Sequence, residues 1–199
     1  MLFRSRELPS NLRYHAYPHT EEVLNESILF AMYDGVSERD IELLAIASAF
    51  HDAGYVERYA DNEEIGAALA ARAMRAAGTY SDEEIHEVEQ MVLSTKLFHS
   101  GPQNAERHEY TILSGYIMDA DWGSFGRDDF FEKCDLLIEE VGANRETFYS
   151  LSHQLVSNQV WLTNGAYMLR NRKKLQNLRD LEARIQEMRS DKREAVARN

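Results

Sequence analysis

The sequence predicts an all-α fold in a single domain. The chain of 199 residues contains only three prolines and ten glycines, so long helices can run between few helix breakers. Its apolar residues recur at spacings of three and four, which is typical of amphipathic helices, and strand-like alternation of useful length is missing. A chain of this length buries about two thirds of the surface that its unfolded state exposes, so it needs no disulfide merely to fold.

The first three predicted helices lie between residues that start or stop helices. After Pro18, apolar residues recur at helical spacing until Gly35, a glycine of the kind that ends helices. The segment 37–50 is apolar on every side, which predicts a central helix buried all round. The alanine-rich segment 62–77, which ends at Gly78, is the third predicted helix.

Five more helices are expected in the rest of the chain. Ser81 and Glu84 form a capping box, which predicts the start of a helix that ends near Ser100. Helical spacing of the apolar residues continues after it toward the C-terminus. The remaining predicted helices lie at about 108–119, at 128–141, at 145–160 and from residue 164 onward.

The composition excludes several classes of protein. A formal net charge of −12 repels polyanions, so we expect no binding to a nucleic acid polymer. A small anion held through a metal ion is compatible with that charge. The single cysteine, Cys134, offers neither an internal disulfide nor a cysteine-based zinc site, which favours a cytoplasmic location. The N-terminus lacks a signal peptide, and no stretch approaches the ~20 apolar residues that span a bilayer, so no membrane association is expected.

A histidine and an aspartate, His51 and Asp52, stand side by side where the central helix ends. Burying an imidazole and a carboxylate without partners is costly, and a metal ion would satisfy both groups. The simpler interpretation is that Asp52 accepts a hydrogen bond from His51 at a helix end. For an isolated pair of this kind the simpler interpretation is the commoner one, because short motifs have low specificity.

Further candidate ligands lie elsewhere in the chain. His15 and His19 are four residues apart, a spacing that places two side chains on one helix face. Pro18 is tolerated in a first helical turn, which would leave His19 in that turn and His15 in the preceding loop. Asp119 and Asp121 end another apolar helix, and two acidic residues there also need a partner.

In their joint order and spacing, these residues resemble the motifs of the HD-domain superfamily of metal-dependent phosphohydrolases. The matching segments are Tyr14-His15-x3-His19-x3-Val23, Phe50-His51-Asp52-x-Gly54-Tyr55, Asp61-Asn62-Glu63-Glu64, Thr95-Lys96 and Asp119-Ala120-Asp121. The resemblance implies an HD-type helical bundle in which helix ends converge on a metal ion.

The resemblance also divides the chain into parts. Residues 1–11 are an N-terminal extension, and residues 12–189 form the HD-type helical domain. Within that domain, the metal-site core covers about 12–126 and additional C-terminal helices cover 127–189. The polar tail, 190–199, is expected to fray.

By the same resemblance, the metal ligands are His19, His51, Asp52 and Asp121. Asp121 is preferred to Asp119 because the family's aspartate usually precedes an apolar or aromatic residue, here Trp122. Two imidazoles and two carboxylates favour Mn²⁺, Fe²⁺, Co²⁺ or Ni²⁺, and Mg²⁺ or Zn²⁺ is compatible with them. Asn62 stands where many relatives carry a histidine that could support a second metal ion, so one divalent ion per chain is expected.

The resemblance implies catalytic roles for four residues. Asp52, shared between the metal ion and a water molecule, would orient that water as a base. His15, outside the ligand set, would protonate the leaving oxygen or hold the phosphate. Lys96 would hold phosphate oxygens, unless it is a solvated surface lysine. Glu64 would order the water, or is a first-turn acidic residue favoured by the helix dipole.

The function expected from these residues is hydrolysis of a small phosphate ester, such as a nucleotide or a cyclic nucleotide, by a metal-activated water. Both a phosphomonoesterase and a phosphodiesterase fit this expectation. The alternative is a regulatory module that binds a metal ion and a nucleotide without turnover, which would not need His15 and Lys96 in proton-transfer geometry. A helical interaction scaffold without a metal ion is disfavoured by the complete ligand set. A homodimer is compatible with either function.

Overall fold

The computed structural model describes residues 12–96 and 110–197 of the chain, with side chains as far as residue 194. In these ranges the regular secondary structure is helical throughout, which confirms the predicted all-α fold. The α-helices in chain order are α1 (Tyr17–Tyr33), α2 (Glu38–Phe50), α3 (Asn62–Ala77), α4 (Asp82–Ser94), α5 (Ser114–Asp121), α6 (Phe130–Val141), α7 (Arg145–Asn158) and α8 (Asn164–Ala197). None of these helices is long and apolar enough to cross a membrane.

The helix starts agree with the local signals in the sequence. Pro18 lies in the first turn of α1, and the Ser37 hydroxyl caps α2 by accepting the backbone N–H of Asp40. The predicted capping box is present, because Ser81 and Glu84 satisfy each other's backbone N–H groups at the start of α4. Local hydrogen-bonding chemistry therefore determines where these helices begin.

Two helix boundaries differ from the prediction. Helix α4 ends at Ser94 rather than near Ser100, because the Ser94 and Thr95 hydroxyls donate to carbonyls three residues earlier and compete with the helical pattern. Helix α5 begins at Ser114, where the Ser114 and Thr111 hydroxyls each accept the other residue's backbone N–H. The predicted start near residue 108 lies outside the described residues.

The C-terminal helix α8 continues to Ala197. The fraying expected for the segment 190–199 stays a prediction. Glu146 at the start of α7 pairs with both Arg189 and Lys192 of α8. These ion pairs connect the polar end of α8 to the start of α7. Arg189 and Glu146 are 43 residues apart in sequence.

The apolar residues form two clusters, and the candidate site lies in the first. Helices α2 and α3 each contribute five buried residues to that cluster. The first turn of α2, with Glu38 and Arg39, is exposed, so this helix is buried in its second half rather than all round as predicted. The fully buried members of the cluster include Val23, Phe30, Leu44, Ala47, Ala70, Val88 and Ile117, from helices α1 to α5. The second cluster joins α6, α7 and α8 through Phe130, Tyr149, Val156 and Leu181. The first cluster fixes the ends of α1, α2 and α5 relative to one another.

Candidate metal centre

Side chains from the ends of three helices converge at one point. His19 lies in the first turn of α1, His51 follows the last residue of α2, and Asp121 ends α5. One ligand atom from each residue lies within 4.8 Å of the others. Nε2 of His19 is 3.0 Å from Oδ1 of Asp121 and 3.5 Å from Nε2 of His51. Ligands about 2.1 Å from an ion lie about 3.0–3.4 Å apart, so these spacings fit a shared metal ion.

Asp52 supplies the clearest sign that a group is expected at this point. Its Oδ2 atom is buried and has no hydrogen-bond partner among the described residues. It lies 3.2 Å from Nε2 of His51 and 3.6 Å from Nε2 of His19, without hydrogen-bond geometry to either nitrogen. An unpartnered buried carboxylate oxygen is costly, and a cation between these atoms would satisfy it.

The His51 imidazole is held in the orientation that a metal ligand requires. Its Nδ1 lies 2.8 Å from the carbonyl oxygen of Ser48, one turn earlier in α2. Because a carbonyl only accepts, Nδ1–H donates to it, and Nε2 of the neutral ring presents its lone pair to the site. The tautomer of His51 is therefore set by the backbone of its own helix.

The charges of His51 and Asp52 depend on each other in the metal-free protein. Burial disfavours the imidazolium, but the neighbouring Asp52 carboxylate outweighs burial and raises the pKa of His51 to about 9. Burial also opposes ionisation of Asp52, but His51 holds the pKa of that carboxyl below its usual range. The Asp52 carboxylate therefore stabilises a positive charge, here that of the His51 imidazolium, at the place where a cation would also fit.

Two glycines allow α3 to approach the turn that carries His51 and Asp52. A Cβ atom on Gly54 would lie 2.0 Å from the carbonyl oxygen of Asn62, and one on Gly66 would lie 2.4 Å from that of Phe50. Either contact is shorter than backbone atoms tolerate, so only glycine permits this packing. The close approach of α3 therefore explains why Gly54 stands in the predicted His-Asp-x-Gly segment.

Asn62 lies behind the ligands rather than among them. Its buried amide is 3.4 Å from Oδ1 of Asp52 in one orientation, and in the flipped orientation its nitrogen is 2.8 Å from Oε2 of Glu63. Burial raises the pKa of the Glu63 carboxyl. The amide therefore donates to the Asp52 carboxylate in one orientation and to the Glu63 carboxylate in the other.

His15 lies outside the ligands and is held by Glu140 of α6. Its Nδ1 is 2.5 Å from Oε1 of Glu140, and the other Glu140 oxygen accepts the backbone N–H groups of Tyr14 and His15. The His15 ring also packs beside the Tyr55 ring, with centroids 5.0 Å apart, and its centroid is 5.9 Å from that of His19. Glu140 thus fixes His15 beside the ligand cluster but outside it.

The sequence analysis did not identify Glu140 as a site residue. One signal was present, because Glu140 follows Leu137 by three residues on the apolar stripe of α6, where an acidic side chain needs a partner. The Glu140 carboxylate is almost fully buried, with 3% of its side chain exposed. Its hydrogen bonds to the His15 segment satisfy that buried charge.

Lys96 and Glu64, which were predicted to act in catalysis, form an ion pair with each other. Asp61 lies 3.7 Å from the same ammonium group. The Glu64 pairing raises the pKa of Lys96. The lysine charge is therefore already balanced by carboxylates from the start of α3 in this structure.

Asp119, the less favoured candidate for the last ligand, is used elsewhere. Its carboxylate accepts the backbone N–H groups of Leu162 and Thr163, at 3.0 and 2.8 Å, and also the Thr163 hydroxyl. It thereby caps the segment that leads into α8. Asp121, two residues later, is the carboxylate that faces the two histidines.

A cavity of about 340 Å³ opens beside this cluster, and both His15 and Asp121 contribute to its wall. Its position makes the cluster accessible to a molecule from outside. No family model matches the chain, and no curated protein is similar enough to it to count as a match.

Proposed function

We propose that the protein is a metal-dependent phosphohydrolase of the HD-domain superfamily that hydrolyses a small phosphate ester. The observation that carries this proposal is the buried Asp52 Oδ2 atom, which faces two imidazole nitrogens and has no hydrogen-bond partner in the described part of the chain. In this proposal one divalent ion per chain is held by His19, His51, Asp52 and Asp121. Their mixed nitrogen and oxygen donors favour Mn²⁺, Fe²⁺, Co²⁺ or Ni²⁺ over a closed structural zinc site.

A divalent ion bound there supplies Lewis-acid chemistry, because it lowers the pKa of a coordinated water and offsets negative charge on a phosphoryl group. Asp52 would orient the attacking water and accept its proton, since its Oδ2 atom lies beside Nε2 of both His19 and His51. His15 donates a proton from Nε2 to the leaving oxygen, since its Nδ1 is occupied by Glu140. The bond from water to phosphorus forms as the ester bond breaks, and the products are an alcohol and phosphate.

The immediate surroundings of the site support this division of roles. Burial lowers the pKa of His15, but the hydrogen bond and charge of Glu140 outweigh burial and raise it above its usual value. The raised pKa favours the protonated ring, which is the form that a general acid requires. Lys96 is paired with Glu64, so its contribution to phosphate binding requires that pair to open. With Cys134 as a buried free thiol, we further propose a cytoplasmic location.

The test combines metal analysis with an assay of generic aryl phosphates. The purified protein should contain about one transition metal ion per chain and, with added Mn²⁺, should hydrolyse an aryl phosphate monoester or diester. Asp52→Asn should lose both the metal ion and the activity, because it removes the charge of a ligand and of the base together. Asp128→Asn is the matched control, since the Asp128 side chain is 97% exposed and pairs only with Lys173 among its described ion pairs.

Two outcomes would contradict the proposal. A protein that takes up no transition metal ion on titration has no basis for this chemistry. A protein that binds the metal ion and a nucleotide but hydrolyses no ester is instead the regulatory module considered from the sequence.

A further inference from the structure

The cavity beside the metal ligands extends between α6 and α7. Each helix presents one stripe to it, with positions separated by three and four residues. Helix α6 contributes Phe130, Cys134 and Leu137, and helix α7 contributes Phe148, Leu151 and Leu155. Since the wall also includes His15 and Asp121, any occupant of the cavity is continuous with a group bound at the metal ligands.

The polar side chains among these stripes are already engaged. The Lys133 ammonium lies 2.5 Å from Oε1 of Glu22 and 3.8 Å from Oδ2 of Asp129. Cys134 is a buried free thiol, whose pKa burial raises to about 12. The α6 and α7 walls therefore present apolar surface and engaged polar groups to an occupant.

We propose that this cavity binds the hydrocarbon part of the substrate, so that the substrate is a phosphate ester of an alkyl or aryl alcohol. This inference rests on the proposed function, because the phosphate is placed at His19, His51, Asp52 and Asp121. Against the α6 and α7 walls, a sugar or a nucleoside would lose the water around its hydroxyl and base groups without new partners. A hydrocarbon loses no such hydrogen bonds and gains by leaving water.

The size and the opening of the cavity set the size of that group. At about 30 Å³ for each water-sized atom, a cavity of about 340 Å³ holds about ten heavy atoms. Leu151 and Leu155 line the cavity while 55% and 51% exposed, so they stand at its mouth. A chain of about eight to ten carbons therefore fills the cavity.

The first test measures binding without turnover. Methylphosphonate and octylphosphonate, which have no ester bond, are titrated into the Mn²⁺-loaded full chain by calorimetry, and the fluorescence change of Trp122 in the cavity wall is followed. Each buried methylene increases affinity up to about fourfold, so octylphosphonate should bind at least about 10²-fold more tightly. Equal affinities for the two phosphonates would overturn the proposal.

The second test compares the hydrolysis of methyl, butyl and octyl phosphate with that of a sugar phosphate and a nucleoside monophosphate. We expect kcat/KM to rise with chain length and octyl phosphate to be the best substrate. Equal kcat/KM for all of them, or a preference for the nucleotide, overturns the hydrocarbon site while leaving the proposed function standing. Tight octylphosphonate binding without hydrolysis of any ester would instead support the hydrocarbon site and overturn the proposed function.

A pair of double variants locates the effect. Leu151→Gln with Leu155→Gln changes exposed positions of α7, so the fold should persist while octylphosphonate affinity falls about tenfold. Leu162→Gln with Leu175→Gln is the matched control, because both residues are similarly exposed and neither lines the cavity. Unchanged octylphosphonate affinity in the first double variant would place the hydrocarbon elsewhere and overturn the proposal.

Discussion

Glu140 and His15 are 125 residues apart in sequence, yet Oε1 of Glu140 lies 2.5 Å from Nδ1 of His15. The pair joins the C-terminal end of α6 to the loop before α1. It fixes the imidazole through one nitrogen and leaves Nε2 for other chemistry. The buried carboxylate also favours the protonated ring, which is the form that a general acid uses.

Replacing Glu140 with glutamine should move the pH profile of the reaction. Burial then lowers the pKa of His15 with no opposing charge from Glu140, so the ring loses its proton at lower pH. Because the protonated ring is the active form, the alkaline limb of kcat/KM should shift toward acid. Steady-state kinetics across pH, together with metal analysis showing the same metal content, measure this.

Glu139→Gln is the control for that variant, since Glu139 is adjacent but exposed. Its profile should coincide with that of the unmodified protein. An alkaline limb that stays in place in Glu140→Gln would mean that His15 is not the acid.

His15 and His19 should respond differently to the same substitution. His15→Ala should keep the metal ion and lose catalytic rate by roughly 10²- to 10⁴-fold, because it removes a general acid and no ligand. His19→Ala should lose the metal ion, since Nε2 of His19 faces Asp121 and Asp52 at 3.0 and 3.6 Å. Metal content and the hydrolysis of an aryl phosphate, measured on both variants together, separate the two roles. Metal loss in His15→Ala would show that the two histidines bind the ion jointly.

Asp119 and Asp121 offer a second discriminating pair. Asp121→Asn should weaken metal binding and leave the melting temperature of the metal-free protein nearly unchanged. Asp119→Asn should keep the metal ion but lower stability by about 1–3 kcal/mol, because the carboxylate accepts hydrogen bonds from Leu162 and Thr163. Thermal denaturation with a chelator present and metal titration of each variant provide both measurements. The reverse pattern would make Asp119 the ligand.

Much of the fold follows from local signals, and its exceptions follow from contacts that sequence patterns do not show. The Ser81–Glu84 capping box is a local device and was predicted at the correct residues. The pairs of Glu146 in α7 with Arg189 and Lys192 in α8 were not predicted, since the partners are more than 40 residues apart in sequence.

The candidate site shows the same division. The histidines and Asp121 were proposed from motif spacing, and the structure places their ligand atoms together. Glu140 was missed because it lies far in sequence from its partner His15 and belongs to none of the matched segments. Lys96 and Glu64 were each given a role of their own, whereas the structure joins them as a pair. Motif order indicates which residues meet at the ion, but it does not show which charges are neutralised by neighbours.

The number of metal ions should be one per chain. Asn62 stands where a histidine would serve a second ion, and its amide is 3.4 Å from Oδ1 of Asp52, on the far side of the carboxylate from the histidines. A neutral amide binds transition metal ions weakly compared with imidazole, so only carboxylates would remain for a second ion. Mn²⁺ titration should saturate at one equivalent, and anomalous scattering should show one strong peak among His19, His51 and Asp121.

Asn62→His is the informative variant, because its imidazole beside Glu63 should add a weaker second binding step to the titration. Two fully occupied ions about 3.5–4 Å apart in the unmodified protein would contradict the single-ion site and assign a ligand role to the residues at the start of α3.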